Sequence, residues 1–230
     1  MRKADLLPSN SADRVRSAII KALQVYISKF ACGEYSADLE APFQFDYAYI
    51  LREILELNKL FSDERFVVSL EDNIPIDGHN DEVDIIITYS KGRKIEKHLI
   101  ELKYKKASAG SPASSAIPCY EDMYDMNRHR LLNPDLIKST WFIFLTPNKQ
   151  FVERPKSSQT GLHTKMCLYD GYTIKADKIY IADNADGLKR MANYPRGFTF
   201  DKDRTIEYQS FKRKGISFWY LIIEMWYKDG

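Results

Sequence analysis

The chain has 230 residues, 44% of them hydrophobic and 29% charged, with a formal net charge of +2. That composition excludes disordered and fibrous classes and fits a globular protein long enough to bury a core without staples. The near-neutral balance demands no nucleic-acid partner, although a local basic patch can serve one.

Residues 1–10 read as a loose end. Val15, Ile19, Leu23, Tyr26 and Phe30 then recur at helical spacing, which predicts a helix over 12–31 stopped by Gly33. A second stripe, Tyr47, Ile50, Leu51, Ile54, Leu57 and Phe61, predicts a helix over 45–61. Asp46 and Glu53 share one edge of that stripe, Asp46 being also a candidate N-cap, and Glu56 points away. Short β-rich runs follow at 67–70, 83–89 and 98–104, the last two joined by the turn SKGRK. The small, turn-prone segment 107–118 reads as a loop, 119–132 as a helix with Pro134 beyond it, and 140–145 (TWFIFL) as a buried strand closed by Pro147. In the last third, ERPKSSQTG reads as a loop. Asp170-Gly171 between apolar runs predicts a hairpin, and KIYIA and FWYLIIEMW predict further strands.

This order implies an α/β fold, a mixed β-sheet flanked by helices with additional C-terminal strands. No composition break divides it. We expect one domain over 1–230, with a core at 44–147, the N-terminal helix at 12–31 and a β-rich extension at 160–228. Cys32, Cys119 and Cys167 lie far apart, and His79, His98, His129 and His163 form no paired motif, so neither a disulfide framework nor a zinc knuckle is expected. A reducing cytoplasm is the simplest compartment. The N-terminus has no signal-peptide core, and FWYLIIEMW is too short to span a bilayer and contains Glu224, so no membrane partner is expected.

The stretch that carries chemistry is EVDIIITYSKGRKIEKHLIELKYKK, residues 82–106. Side chains alternate along a strand, so Glu101 and Lys103 share one face while Ile100, Leu102 and Tyr104 take the other. The SKGRK turn folds Asp84 back toward Glu101. Two carboxylates and an amine then converge. Asp84, Glu101 and the carbonyl of Leu102 supply hard oxygen ligands for Mg²⁺, with Mn²⁺ as a substitute. Lys103 supplies a charge that orients water or stabilises a phosphoryl transition state.

Val83-Asp84 followed by Glu101-Leu102-Lys103, with apolar flanks, resembles the PD-(D/E)xK superfamily of restriction and repair nucleases. The resemblance covers residues 44–147. It implies a restriction-endonuclease-like fold and a Mg²⁺-dependent endonuclease acting on DNA, of restriction or phage-defence type. A catalytically inactive nucleic-acid-binding or assembly module of the same fold is the alternative, and a plain interaction protein with all these charges on its surface is a third. A homodimer follows by analogy. The family often adds an acidic residue on an upstream helix, which points to Glu53 as a further catalytic residue, with Asp46 second. It also tends to carry polar residues on the helix after the lysine, where Tyr120, Asp122, Asp125 and Arg128 stand. No proline precedes Asp84 and that downstream helix has no glutamine, both departures from the pattern.

Residues 91–106 hold seven basic and two acidic side chains, a local net of +5. Lys94, Lys97, Lys105 and Lys106, with Arg128 and more weakly Arg130, are candidate phosphate contacts; a solvated hairpin tip is the plain reading of the same charges. Trp141, Phe142 and Phe144 read as core, as do Phe218, Trp219, Tyr220 and Trp226, and His129 reads as a structural helix residue.

Overall fold

The computed structural model describes residues 7–35, 39–76, 79–108, 112–154, 166–182 and 185–227. The chain opens with α1 (Ser11–Cys32) and α2 (Glu40–Leu57). Asn10 caps α1 by accepting the Ala12 N–H at 3.0 Å. Gly33 ends it with a φ of 85°, a left-handed conformation that glycine adopts without a Cβ penalty.

Three strands follow as an antiparallel meander, β1 (Arg65–Ile76), β2 (His79–Lys91) and β3 (Lys94–Tyr104). Helix α3 (Pro112–Leu132) then crosses over to β4 (Ile137–Thr146), which lies parallel to β3. Two short strands, β5 (Thr173–Ile174) and β6 (Arg204–Thr205), pair with each other, and a short helix α4 spans Ala185–Arg190. The chain ends in the hairpin β7 (Gln209–Arg213) and β8 (Ile216–Tyr227), with β8 antiparallel to β4. The result is a mixed six-stranded sheet in the order β1-β2-β3-β4-β8-β7.

Alternation assigns the two faces. Ile85, Ile87, Ile100, Leu102, Trp141, Ile143 and Leu145 pack under α1 and α2. Ile86, Leu99, Phe142, Phe144, Leu221 and Ile223 pack under α3 and the chain that follows β4. A strand covered on both faces reads as a continuous apolar run, which is the character of 140–145.

Four local expectations are corrected. Helix α2 starts at Glu40, five residues early, because Pro42 lies in its first turn, where no intrahelical N–H is needed. Its buried stripe is Phe43, Tyr47, Ile50, Leu51 and Leu55, while Leu57 and Phe61 are exposed. Helix α3 starts at Pro112 and runs through Pro118, so part of the expected loop 107–118 is helical. Asp170-Gly171 does form a turn, with Tyr172 N–H on Tyr169 O at 3.1 Å, but β5 beyond it pairs with β6. Met166, Cys167 and Leu168 are buried without strand structure, so no hairpin closes there. KIYIA contributes a single bridge, Tyr180 to Phe198, and not a strand. Most of the segment ERPKSSQTG and the Trp226 side chain lie outside the described residues. No helix among the described residues is long and apolar enough to cross a membrane.

Candidate active site

The β2–β3 ladder ends at Ile85 opposite Ile100. One step further, Asp84 stands opposite Glu101, and there the β1–β2 hairpin turns away from β3. The β1–β2 ladder itself lacks a rung at this level. Glu71, across from Asp84, takes a left-handed φ of 49°, a strained conformation for a residue with a Cβ.

Beyond this point β3 keeps β4 on one side but has lost β2 on the other, and the backbone groups on that side need other partners. Side chains supply them. Asp84 Oδ2 accepts the Leu102 N–H at 2.7 Å, and Glu40 Oε2 accepts the Tyr104 N–H at 2.8 Å. Gln44 Nε2 donates to the Asp84 carbonyl at 2.7 Å. The N-terminal turns of α2 therefore fill the opening between β2 and β3. In a strand a residue's N–H and C=O project to the same side, so the Leu102 carbonyl shares the side of Asp84.

Glu101 and Lys103 project to the other face, toward α3. The Lys103 amine lies 3.3 Å from Asp122 Oδ2 and 3.6 Å from Glu40 Oε1. Asp122 belongs to a polar stripe of α3 whose successive members each reach a different element. Asp122 meets Lys103 on β3, Asp125 accepts the Tyr194 hydroxyl at 2.6 Å, and His129 Nε2 sits 2.7 Å from Asp81 on β2. The spacing i, i+3, i+7 puts the three on one side of the helix.

Burial, then the hydrogen bond and charge of Asp84 and the charge of Asp122, push the Glu101 carboxyl well above its ordinary range; Lys103 opposes them. Glu101 Oε2 is buried and has no hydrogen-bond partner among the described residues. For Lys103, burial alone would lower the amine, but Asp122, Glu40, Glu101 and Asp84 together win and raise it. It is a fixed cation. Burial also pushes up Asp122, against the pull of Lys103, and lifts Asp125 to about 6.

A cavity of about 580 Å³ opens beside Glu101. Asp81, Glu82, Glu101, Glu121, Asp122 and Asp125 line it, with Arg128 as the single basic residue among the described residues. Such a surface repels a phosphate unless cations intervene. Among the described residues no three His, Cys, Asp or Glu side chains form a preformed metal cage. The donor set is two facing carboxylates, one with an unpartnered buried oxygen, and the Leu102 carbonyl. This set fits a hard divalent ion that keeps several waters.

Of the site residues expected from sequence, Asp84, Glu101, Leu102 and Lys103 come together. Glu53 does not join them. It lies thirteen residues along α2 from Glu40, roughly 20 Å away, exposed and paired with Arg52 at 3.3 Å. Asp46 is half-buried and close enough to Tyr26 to raise its hydroxyl. Glu40 is the acidic residue that α2 delivers, and its signal was a glutamate two residues before a first-turn proline.

The basic candidates divide. Lys105 and Lys106 follow the site directly on the chain, Lys106 being exposed, and Arg128 lines the cavity. Lys94 sits at the opposite end of β3, roughly 23 Å from Glu101 at ~3.3 Å per residue, bonded to Glu96 at 2.9 Å and to Ser11. Lys91 at that tip lies 3.3 Å from the centre of the Phe61 ring. Lys97 is intermediate, roughly 13 Å from Glu101 by the same rise. The expected phosphate-binding wall is therefore split, its hairpin half being structural. Arg130 is buried and not a surface contact.

Comparison of the chain with protein-family models, with curated proteins and with solved structures finds no match.

Proposed function

We propose that the chain is a divalent-metal-dependent endonuclease of the PD-(D/E)xK type that hydrolyses phosphodiester bonds in DNA, with a restriction-endonuclease-like fold. One observation carries the reading. Asp84 and Glu101 face each other where the β2–β3 ladder ends, and Lys103, two residues on, holds its amine on the Glu101 face. The order of parts also agrees with the resemblance: an acidic residue from the preceding helix, Asp84, Glu101-x-Lys103, then a polar helix.

Each residue has a role set by its surroundings. Asp84 and Glu101 would provide the carboxylate oxygens that hold Mg²⁺ or Mn²⁺, with the Leu102 carbonyl beside them. The bound ion would neutralise phosphate charge and acidify an attacking water. Lys103, its amine raised by the carboxylates around it, is placed to orient that water and stabilise charge on the phosphoryl oxygens. Lys105 and Lys106, which follow the site on the chain, and Arg128, which lines the cavity, are the basic groups proposed to contact the DNA backbone.

The test is incubation of the purified chain with linear and circular duplex DNA and with RNA of matching sequence, in Mg²⁺, in Mn²⁺ and in chelator. Cation-dependent cleavage of DNA is expected. Cation-independent cleavage, or none in either cation, overturns the reading.

A further inference from the structure

We infer that Asp122 on α3 is the positioning residue for Lys103, holding its amine beside Glu101; this rests on the nuclease reading above. A lysine carries four rotatable bonds and gives up much rotamer freedom when fixed. Left alone near a surface, such a chain extends its ammonium into water. Lys103 does not: its side chain is 17% exposed and its amine lies against carboxylates. Something must hold it.

Among the described residues two groups are within ion-pair reach, and they are unequal. Glu40 is at 3.6 Å, its side chain is 38% exposed, and its other oxygen is committed to the Tyr104 N–H. Asp122 is at 3.3 Å and 15% exposed. Attraction grows as distance and local dielectric fall, and both differences favour Asp122. Its backbone is also the firmer mount. Tyr120, Met123 and Met126 of α3 are buried in the core, and Asp125 and His129 tie the same stripe to Tyr194 and Asp81. Glu40 comes instead from the first residue of a helix whose N-cap makes no side-chain bond.

Asp122 therefore differs in role from Asp84 and Glu101. Its contact is with Lys103, and the role inferred for it is to fix where that charge sits. Its loss should let the amine swing away from the site while the carboxylate pair persists. That separates turnover from binding.

The experiment compares wild type, Asp122→Asn, Lys103→Met and the double variant in Mn²⁺-dependent, single-turnover DNA cleavage, with KM, Mn²⁺ affinity and Tm for each. Asp122→Asn should lower kcat about 10²-fold while KM and Mn²⁺ affinity change less than about twofold. In the Lys103→Met background it should change kcat less than about twofold, because the group it positions is gone. The Tm shifts of the two substitutions should be non-additive, a readout that does not need cleavage. An equal fall in kcat in both backgrounds would mean a general structural role and overturns the inference. So does additive melting. Undiminished kcat in Asp122→Asn, with an active wild type, overturns this inference alone, whereas a wild type that cleaves nothing overturns it together with the nuclease reading.

Discussion

Replacing Glu101 by Gln should stabilise the metal-free protein. The wild-type carboxyl is buried, faces Asp84 and leaves Oε2 without a partner. Its folded-state affinity for a proton is raised above the unfolded value by burial first and Asp84 second. The sign follows from linkage. A carboxyl with a raised folded value costs nothing at low pH, where both states are protonated. It costs progressively more as pH rises past the unfolded value, because only the unfolded chain ionises freely. Glutamine keeps the shape and cannot ionise. Keeping such a carboxyl folded costs on the order of 1 kcal/mol for each pH unit above its unfolded value, until the folded value is reached. We expect a gain of that order at pH 8, or about 2–4 °C in Tm for each kcal/mol in a chain of this size. The assay is thermal and urea unfolding of both proteins in chelator across pH 4.5 to 8. The gain should shrink toward the acid end. Added Mn²⁺ should then raise the wild-type Tm and leave the variant unmoved. A variant no more stable than wild type at pH 8, or a gain that does not change with pH, would refute the reasoning.

Other consequences are equally direct. Glu40→Ala should lower cleavage about tenfold, in line with loss of one partly screened charge contact, while Glu53→Ala should match wild type; equal activity of the two variants would contradict the assignment of Glu40. Lys105→Ala should weaken DNA binding and reduce the salt dependence by about one ion, and Lys94→Ala should not, as read by fluorescence anisotropy at several salt concentrations. Gly197 has a φ of 76°, and a Cβ there would lie 2.7 Å from Tyr180 O. Gly197→Ala should therefore cost about 1–3 kcal/mol by breaking the Tyr180–Phe198 bridge, visible as a lower urea midpoint.

Much of the site was legible because its information is local. The alternation rule assigned Glu101 and Lys103 to one face from a separation of two residues, and β-branched runs marked the strands that carry them. Only the turn between those strands was needed to bring Asp84 across. Glu40 escaped because helix starts are poorly signalled when Pro42 falls in the first turn and the N-cap is Leu39, which offers no capping oxygen. Periodicity then drew the α2 stripe too far toward Leu57 and Phe61, and carried Glu53 with it. The contact of Asp122 with Lys103 depends on how α3 crosses the sheet, which no local pattern encodes. The same holds for Lys94. Its charge was visible in sequence, but the two long strands place it at the far end from the site. In the last third, an Asp-Gly pair specified a turn correctly, while the strand beyond it pairs with β6, about thirty residues further along the chain and outside any local signal.

The most direct test of the central claim compares Asp84→Ala and Lys103→Ala with wild type by isothermal titration with Mn²⁺ and by cleavage of duplex DNA. Asp84→Ala should lose both metal affinity and cleavage. Lys103→Ala should keep metal affinity and lose about 10²–10³ in rate. Undiminished cleavage by either variant, in preparations free of contaminating nuclease, would contradict the account.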